Sequence, residues 1–341
     1  MVIPPNGKKT VLVTDFTWPA PDIEAAVLGE VDAKLLLAPS SDESDLIELV
    51  TQADAILTCF AHVTESVIRA GEKLQVVGRY GIGVDNIDVA TATALDIPVT
   101  YVPAYCVDEV AEHTLGFILA LARKISLYDR AVRQGSWNLK DGLPMHRVRG
   151  RTLGLVGFGR IGQMVAEKAR GFSMNVVYYD PNPSLNAVMD TGLASEVSLE
   201  KLITESDFVS LHAPLTEGTR TLVNADFMHA MKSTACLINC ARGGLVDHDA
   251  LLTALSEGGI AGAALDVFDP EQLSPDHPLL QLNNLIATPH VAFYSAESVA
   301  ELQRRASMNV AAILAGRLPE AIINPEVLER PRWRHLTGSM D

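Results

Sequence analysis

Residues 152–170 read TLGLVGFGRIGQMVAEKAR. The apolar run 152–156 predicts a β-strand, and the residues beyond Gly159 predict a helix. Between them Gly157, Gly159 and Gly162 hold the spacing G-x-G-x-x-G. There the first glycine permits a tight turn, the second lets the backbone approach a pyrophosphate, and the third lets helix and strand pack closely. Amides at the helix start then face the phosphate charge. The next apolar run, 175–179, is followed by Asp180. A carboxylate there accepts hydrogen bonds from ribose hydroxyls and repels a 2′-phosphate, which points to NAD rather than NADP. His212, with Ala213 and Pro214 behind it, ends the third strand candidate at a carboxyl end, where ligands lie in such sheets.

Outward from this stretch, short apolar runs alternate with helix-like segments, the pattern of a parallel sheet wrapped by helices. Strand candidates at 152–156, 175–179, 208–211, 235–239, 262–267 and 285–288 suffice for a complete doubly wound sheet. Upstream, runs at 10–16, 33–37, 55–57 and 75–77 predict a second sheet. Helices are expected over 44–52 and 64–70, with Asp45 or Thr64 as caps. Residues 107–123 have helical periodicity, and the polar segment 135–151 reads as a connecting arm. A last helix over 298–316 is expected to return to the first domain. The expected fold class is therefore α/β, with two doubly wound parallel-sheet domains: 1–103 with 292–341, and 104–291. The tail after Asn324 is polar and carries no readable motif.

Composition narrows the partners. The chain has 341 residues, which at ~100–200 residues per domain suits two domains. Lys and Arg total 27 against 42 Asp and Glu, a net charge of −15 that argues against a nucleic-acid backbone or an anionic membrane as partner. Cys59, Cys106, Cys236 and Cys240 form neither a disulfide ladder nor a CxxC pair, and predict buried thiols in a reducing compartment. The start, MVIPPNGKKT, has no apolar run behind its lysines, so a signal peptide is not expected. The most apolar stretch, 110–122, is interrupted by Glu112 and His113 and is too short to span a bilayer. A cytoplasmic protein without a metal site is the expectation.

NAD alone does not name a reaction. Hydride transfer to a carbonyl needs a proton donor beside the oxygen and a cation to polarise it. Arg242, Glu271 and His290 stand at the ends of the later strands, where a doubly wound sheet opens its cleft. A Glu–His pair has a clear use, because a carboxylate stabilises imidazolium and orients the ring. Arginine forks onto a carboxylate while touching the adjacent carbonyl. Each also has a plainer alternative: Arg242 as a loop salt bridge, Glu271 as a solvated acid, His290 as a capping or core residue.

Five segments, RYGIGVDNID at 79–88, GFGRIG at 157–162 with Asp180, NCARGGLVD at 239–247, ALDVFDPE at 264–271 and TPH at 288–290, together resemble the D-isomer-specific 2-hydroxyacid dehydrogenase family. The resemblance runs from about residue 11 to 325. It implies a Rossmann NAD-binding domain over 104–291 and a flavodoxin-like substrate-binding domain from the remainder. By the same resemblance, Arg242 binds the substrate's carboxylate and carbonyl, His290 is the acid/base, and Glu271 pairs with His290. Main-chain amides around Gly81, Ile82 and Gly83 would hold the substrate carboxylate. Arg160, Ile161, Asp180, Cys240, Ala241 and Asp266 would touch the cofactor, Asp266 near the nicotinamide amide. Arg79 either adds positive charge at the mouth or serves as a structural salt bridge. A homodimer is implied, formed through the helix 107–123 and the arm 126–149.

Two details refine this. Glu271 stands where the formate dehydrogenases of this superfamily carry glutamine, which argues against formate oxidation. The run VAFYS at 291–295, with AGRLPEAIINP at 315–325, resembles the branch containing the C-terminal binding proteins, corepressors that keep a dehydrogenase fold. In that branch a tryptophan lines the substrate pocket at the position of Phe293. The resemblance thus leaves two functions to weigh: hydride transfer between NAD(H) and a small 2-hydroxy or 2-oxo acid, or an NAD(H)-sensing corepressor-like scaffold.

Overall fold

The computed structural model describes residues 9–181, 192 and 194–337. The chain divides into two units, Met1–Tyr105 with Ser295–Asp341, and Cys106–Tyr294. The divisions lie at 105/106 and 294/295, against the expected 103/104 and 291/292. Each unit is a parallel sheet wrapped by helices.

The first unit alternates β1 (Lys9–Val13), α1 (Asp22–Gly29), β2 (Ala33–Leu37), α2 (Glu43–Val50), β3 (Ala55–Thr58), α3 (Glu65–Ala70), β4 (Val76–Arg79), α4 (Val89–Ala94) and β5 (Val99–Thr100). All its pairings are parallel, in the order β2-β1-β3-β4-β5. That is the flavodoxin-like order, in which the strand sequence reverses beside β1 and opens a crevice at the carboxyl ends. Leu12, Ile56 and Val77 of the strands pack with Leu46 and Val67 of the helices in one core. Thr64 caps α3 through its side chain, as expected. Asp45 does not cap α2; it lies in the first turn and accepts from Ser40 Oγ.

The second unit holds α5 (Val107–Arg123), α6 (Ile125–Arg133), β6 (Thr152–Val156), α7 (Arg160–Ala169), β7 (Asn175–Tyr179), β8 (Ser195–Glu196), α8 (Leu199–Glu205), β9 (Phe208–Leu211), α9 (Ala225–Ala230), β10 (Cys236–Asn239), α10 (His248–Ser256), β11 (Gly262–Leu265) and β12 (Leu285–Ala287). The seven-stranded sheet runs β12-β11-β10-β9-β6-β7-β8, again wholly parallel, which is the Rossmann order with one added strand. Successive strand residues feed opposite faces: Leu237 and Ala263 pack into one core, Ile238 and Ala264 into the other. Part of the expected arm is helical. No residue of α6 is fully buried: Leu127 and Ala131 are half-buried, while Ile125 and Val132 are exposed.

The chain then returns to the first unit with α11 (Ala296–Leu314) and α12 (Arg334–Thr337). Ser295 and Ser298 form a reciprocal capping box at the start of α11. Both the segment 322–324 and the described part of the tail after it, to Thr337, pack on this unit, with Val327, Trp333 and Leu336 buried. Ile322 bridges Thr100 in antiparallel fashion and Ile323 N donates to Val99 O, which closes the β5 edge of the sheet. Asn324, 2% exposed, accepts from Val99 N and donates to Ile97 O and Thr93 Oγ1. Trp333 Nε1 donates to Asp96 O over a buried ring.

Candidate active site

The glycine-rich loop joins β6 to α7. Gly157 has φ +95°, and a β-carbon there would lie 2.6 Å from the His212 carbonyl oxygen, so only glycine fits the turn. Gly159 is the N-cap of α7 and provides no side-chain cap. A β-carbon on it would meet nothing within 4 Å, so the surface over the first amides of Arg160 and Ile161 is open. Gly162 sits against the Gly157 carbonyl, close under the turn. An open, uncapped helix start is the arrangement a pyrophosphate needs. Asp180, directly after β7, accepts from Phe158 N at 2.8 Å, which ties the loop to the position expected to meet a ribose. Phe158 stacks on Tyr178 beneath, with ring centroids 4.0 Å apart.

These residues fit an adenine dinucleotide. His212 joins the wall through its backbone, with its N donating to Val156 O and its carbonyl against Gly157. The ring lies within hydrogen-bond distance of Ser210 Oγ, and burial pushes it down to about 4, so it stays neutral. Ala213 and Pro214 continue that wall, half-buried and exposed respectively.

At the end of β10, Asn239 shapes the next loop. Fully buried, it accepts from Ala241 N at 3.0 Å and donates to the Arg242 carbonyl at 2.8 Å, so Cys240, Ala241 and Arg242 turn around one amide. Arg242 has an extended backbone and places Nη1 on the Ala241 carbonyl at 2.7 Å. Burial raises the Cys240 thiol well above the usual range, so it is not a thiolate.

The ends of β11 and β12 carry the remaining groups. His290 Nδ1 and Glu271 Oε1 form a hydrogen-bonded pair, the expected Glu–His contact. The pairing engages Nδ1, and Nε2 is the second protonation site of the ring. Phe293 lies edge-on to the His290 ring, centroids 6.0 Å apart with planes at 82°. Asp266, 1% exposed, holds the segment in place: its carboxylate accepts from Val291 N and Ala292 N, both at 2.9 Å, and its carbonyl accepts from His290 N at 2.7 Å. Asn239 and the backbone-holding part played by Asp266 were not foreseen from sequence. The signal for Asn239 was present, a polar residue closing an apolar strand.

In the first unit, the loop 79–88 is braced by its own side chains. Arg79 is buried and turns inward, with Nε on Asn86 Oδ1 at 3.1 Å and Nη1 on the Tyr80 carbonyl. Gly81 has φ +151°, and a β-carbon there would meet the Arg79 guanidinium at 2.8 Å. Ile82 and Gly83 follow, half-buried. Asn86 Nδ2 reaches back to the carbonyls of Cys59 and Ala61, while the Asp15 carboxylate accepts from Cys59 N and Phe60 N. Among the described residues, no three His, Cys, Asp or Glu side chains are grouped to hold a metal ion. No described helix is long and apolar enough to cross a membrane.

Comparison with known proteins bears on the family and the fold. Residues 115–292 match the family model for the NAD-binding domain of D-isomer-specific 2-hydroxyacid dehydrogenases. A glyoxylate reductase of Korarchaeum cryptofilum is 41% identical over 288 residues, 83% of this chain and 86% of that protein. A solved protein of Thermus thermophilus superposes with a TM-score of 0.82 at 36% identity, over 92% of this chain and 99% of its own. The D-lactate dehydrogenase of Aquifex aeolicus, solved with NAD and lactic acid, gives 0.79 at 28% identity, over 94% and 98%.

Proposed function

Because the chain belongs to the D-isomer-specific 2-hydroxyacid dehydrogenase family and is an NAD-dependent enzyme of that family, we propose that it interconverts a small 2-oxo acid and the D-2-hydroxy acid through Arg242, Glu271 and His290. The observation that carries the reading is the His290–Glu271 pair on a segment pinned by buried Asp266. In reduction, protonated His290 gives its Nε2 proton to the oxygen as the carbonyl becomes an alkoxide, and the Glu271 carboxylate stabilises the imidazolium beforehand. Arg242 binds the substrate carboxylate and offsets charge building on that oxygen. The bound nicotinamide supplies or accepts the hydride at C2. Gly157, Gly159, Arg160, Ile161 and Gly162 hold its pyrophosphate, Asp180 its ribose, and the segments 212–214 and 240–241 with Asp266 the rest. The amides of Gly81, Ile82 and Gly83 take the substrate carboxylate, and Arg79 acts by bracing that loop.

Phe293 beside His290 favours a short substrate such as glyoxylate or hydroxypyruvate, and the relatives' enzyme names weigh against the corepressor-like alternative. Ile125 and Val132 of α6 and Trp137, Leu139 and Leu143 in the segment after it are exposed apolar side chains. A second copy of the chain is the occupant we assign to this surface, giving a homodimer whose mass sedimentation would report. Four free cysteines, three of them buried, suit the cytoplasm.

NADH oxidation, followed by absorbance across glyoxylate, hydroxypyruvate, pyruvate and larger 2-oxo acids, tests the proposal. His290→Asn should lower kcat by ~10²–10⁴-fold while NADH binding, read by fluorescence, stays intact. Undiminished turnover would sink the acid/base assignment. Glu271→Gln keeps a hydrogen-bonding side chain but removes the charge beside the imidazolium, so kcat for reduction should fall while NADH binding is unchanged.

A further inference from the structure

A side chain on α5 completes a run of hydrogen bonds behind the segment that carries His290. His113 Nε2 lies 3.1 Å from Thr288 Oγ1, and Thr288 Oγ1 donates to Asp266 Oδ1. His113 Nε2 is itself 3.8 Å from that carboxylate oxygen. A hydroxyl has one proton to give. With that proton directed at Asp266, Thr288 Oγ1 accepts from His113, which fixes the ring as the Nε2–H tautomer. The ring packs edge-on against Phe117 one turn along the same helix, centroids 4.4 Å apart at 74°. Burial pushes His113 below the usual imidazole range, opposed by the charge on Asp266, so the neutral donor is the form at neutral pH.

What lies at the far end of this run gives it a consequence. Asp266 holds Val291 N, Ala292 N and, through its own carbonyl, His290 N. His290 has φ +52°, a left-handed backbone that a histidine keeps only where its surroundings over-determine it. We propose that His113 is a positioning residue for His290: through Thr288 it orients the Asp266 carboxylate, which fixes the backbone of residues 290–292. The proposal rests on the reading of His290 as the acid/base.

The test pairs His113→Phe, which keeps the ring and its contact with Phe117 but removes the donor, with His113→Gln, whose amide places a donor near the lost Nε2. Turnover is measured with glyoxylate, and amide exchange of the 288–294 peptide is measured on the enzyme without cofactor. His113→Phe should lower kcat roughly tenfold at most, the upper end of the worth of one hydrogen bond between neutral groups, and speed exchange in that peptide. KM should change less than about twofold, and the deuterium isotope effect from labelled NADH should rise as the hydride step slows. His113→Gln should recover most of both losses. Thr288→Val should reproduce His113→Phe, and combining them should add little, since both break one chain. Native turnover and native exchange in His113→Phe would overturn the proposal, as would additive losses or a loss that glutamine does not rescue. His290→Asn, run alongside, separates the two readings. If it alone is inactive, the acid/base reading stands without His113; if it is fully active, the acid/base reading fails and the positioning claim with it.

Discussion

Two glycine-bearing loops follow parallel strands in this protein, and they end in opposite states. The loop after β6 is open: a β-carbon at Gly159 would touch nothing, and α7 begins without a side-chain cap. The loop after β4 is filled from within, because the Arg79 guanidinium occupies the space a side chain at Gly81 would take. Both loops have a carboxylate beneath them. Asp180 holds the Phe158 amide at the edge of the open loop, whereas Glu24, fully buried, lies behind Tyr80 of the filled one. Glycine therefore serves the same need, close approach to the backbone, for two different visitors. In the second unit the proposed visitor is a dinucleotide; in the first it is the protein's own arginine.

Substitutions separate these uses, beginning with the most damaging. Gly157→Ala forces a left-handed backbone onto alanine and drives its β-carbon into the His212 carbonyl, backbone against backbone. The cost should exceed the ~1–3 kcal/mol of the conformation alone, with a large fall in melting temperature and loss of NADH binding. Gly81→Ala meets only the flexible end of Arg79, so it should cost about 1–3 kcal/mol. It should raise KM for the 2-oxo acid while leaving the NADH Kd unchanged. Gly159→Ala is the converse case. Its melting temperature should match the native enzyme, yet NADH should bind roughly tenfold more weakly, about 1.4 kcal/mol, because the added methyl occupies space meant for the ligand. Calorimetry and NADH fluorescence titration on the three variants give both readouts. If Gly159→Ala binds NADH normally, the open loop is not the dinucleotide site and the contrast between the loops collapses.

Much of this is legible in the sequence. The six longer strands of the second unit follow from uninterrupted apolar runs, since a strand buried on both faces needs no alternation. The strands β5 and β8 have two residues each, too short to leave a pattern. The run from 10 to 16 overshoots β1: Thr14 N still donates to Leu57 O of β3, but the Asp15 side chain turns to accept from Cys59 N and Phe60 N in a loop more than forty residues away. The tail was opaque for a similar reason: Asn324 and Trp333 find their partners around residues 93–99, which no local spacing reveals. The same holds at the site. Arg242, Glu271 and His290 stand out because strand ends are where ligands lie, but Asn239, Thr288 and His113 act only through contacts that tertiary register supplies.

The smallest effect concerns the carboxylate under the filled loop. Gln303 Nε2 lies 3.1 and 3.3 Å from the two Glu24 oxygens, and the polar ends of Trp18 and Tyr80 face it, with no cation among these neighbours. Burial raises the Glu24 carboxyl above the ordinary glutamate value. The folded state therefore holds that proton more tightly than the unfolded chain, and folding is favoured while the group is protonated in both states. That advantage is lost as pH rises from the unfolded value, about 4.5, through the raised folded value. At neutral pH the folded protein keeps either a desolvated charge or a proton taken up at a cost. Glu24→Gln removes the titration while keeping the shape, so it should raise the melting temperature at neutral pH, and the gain should shrink toward zero as pH falls below 4.5. Melting curves of both proteins across that range decide it. A gain independent of pH would assign the effect to packing, and a loss at neutral pH would mean the charge itself, held by Gln303, supports the loop.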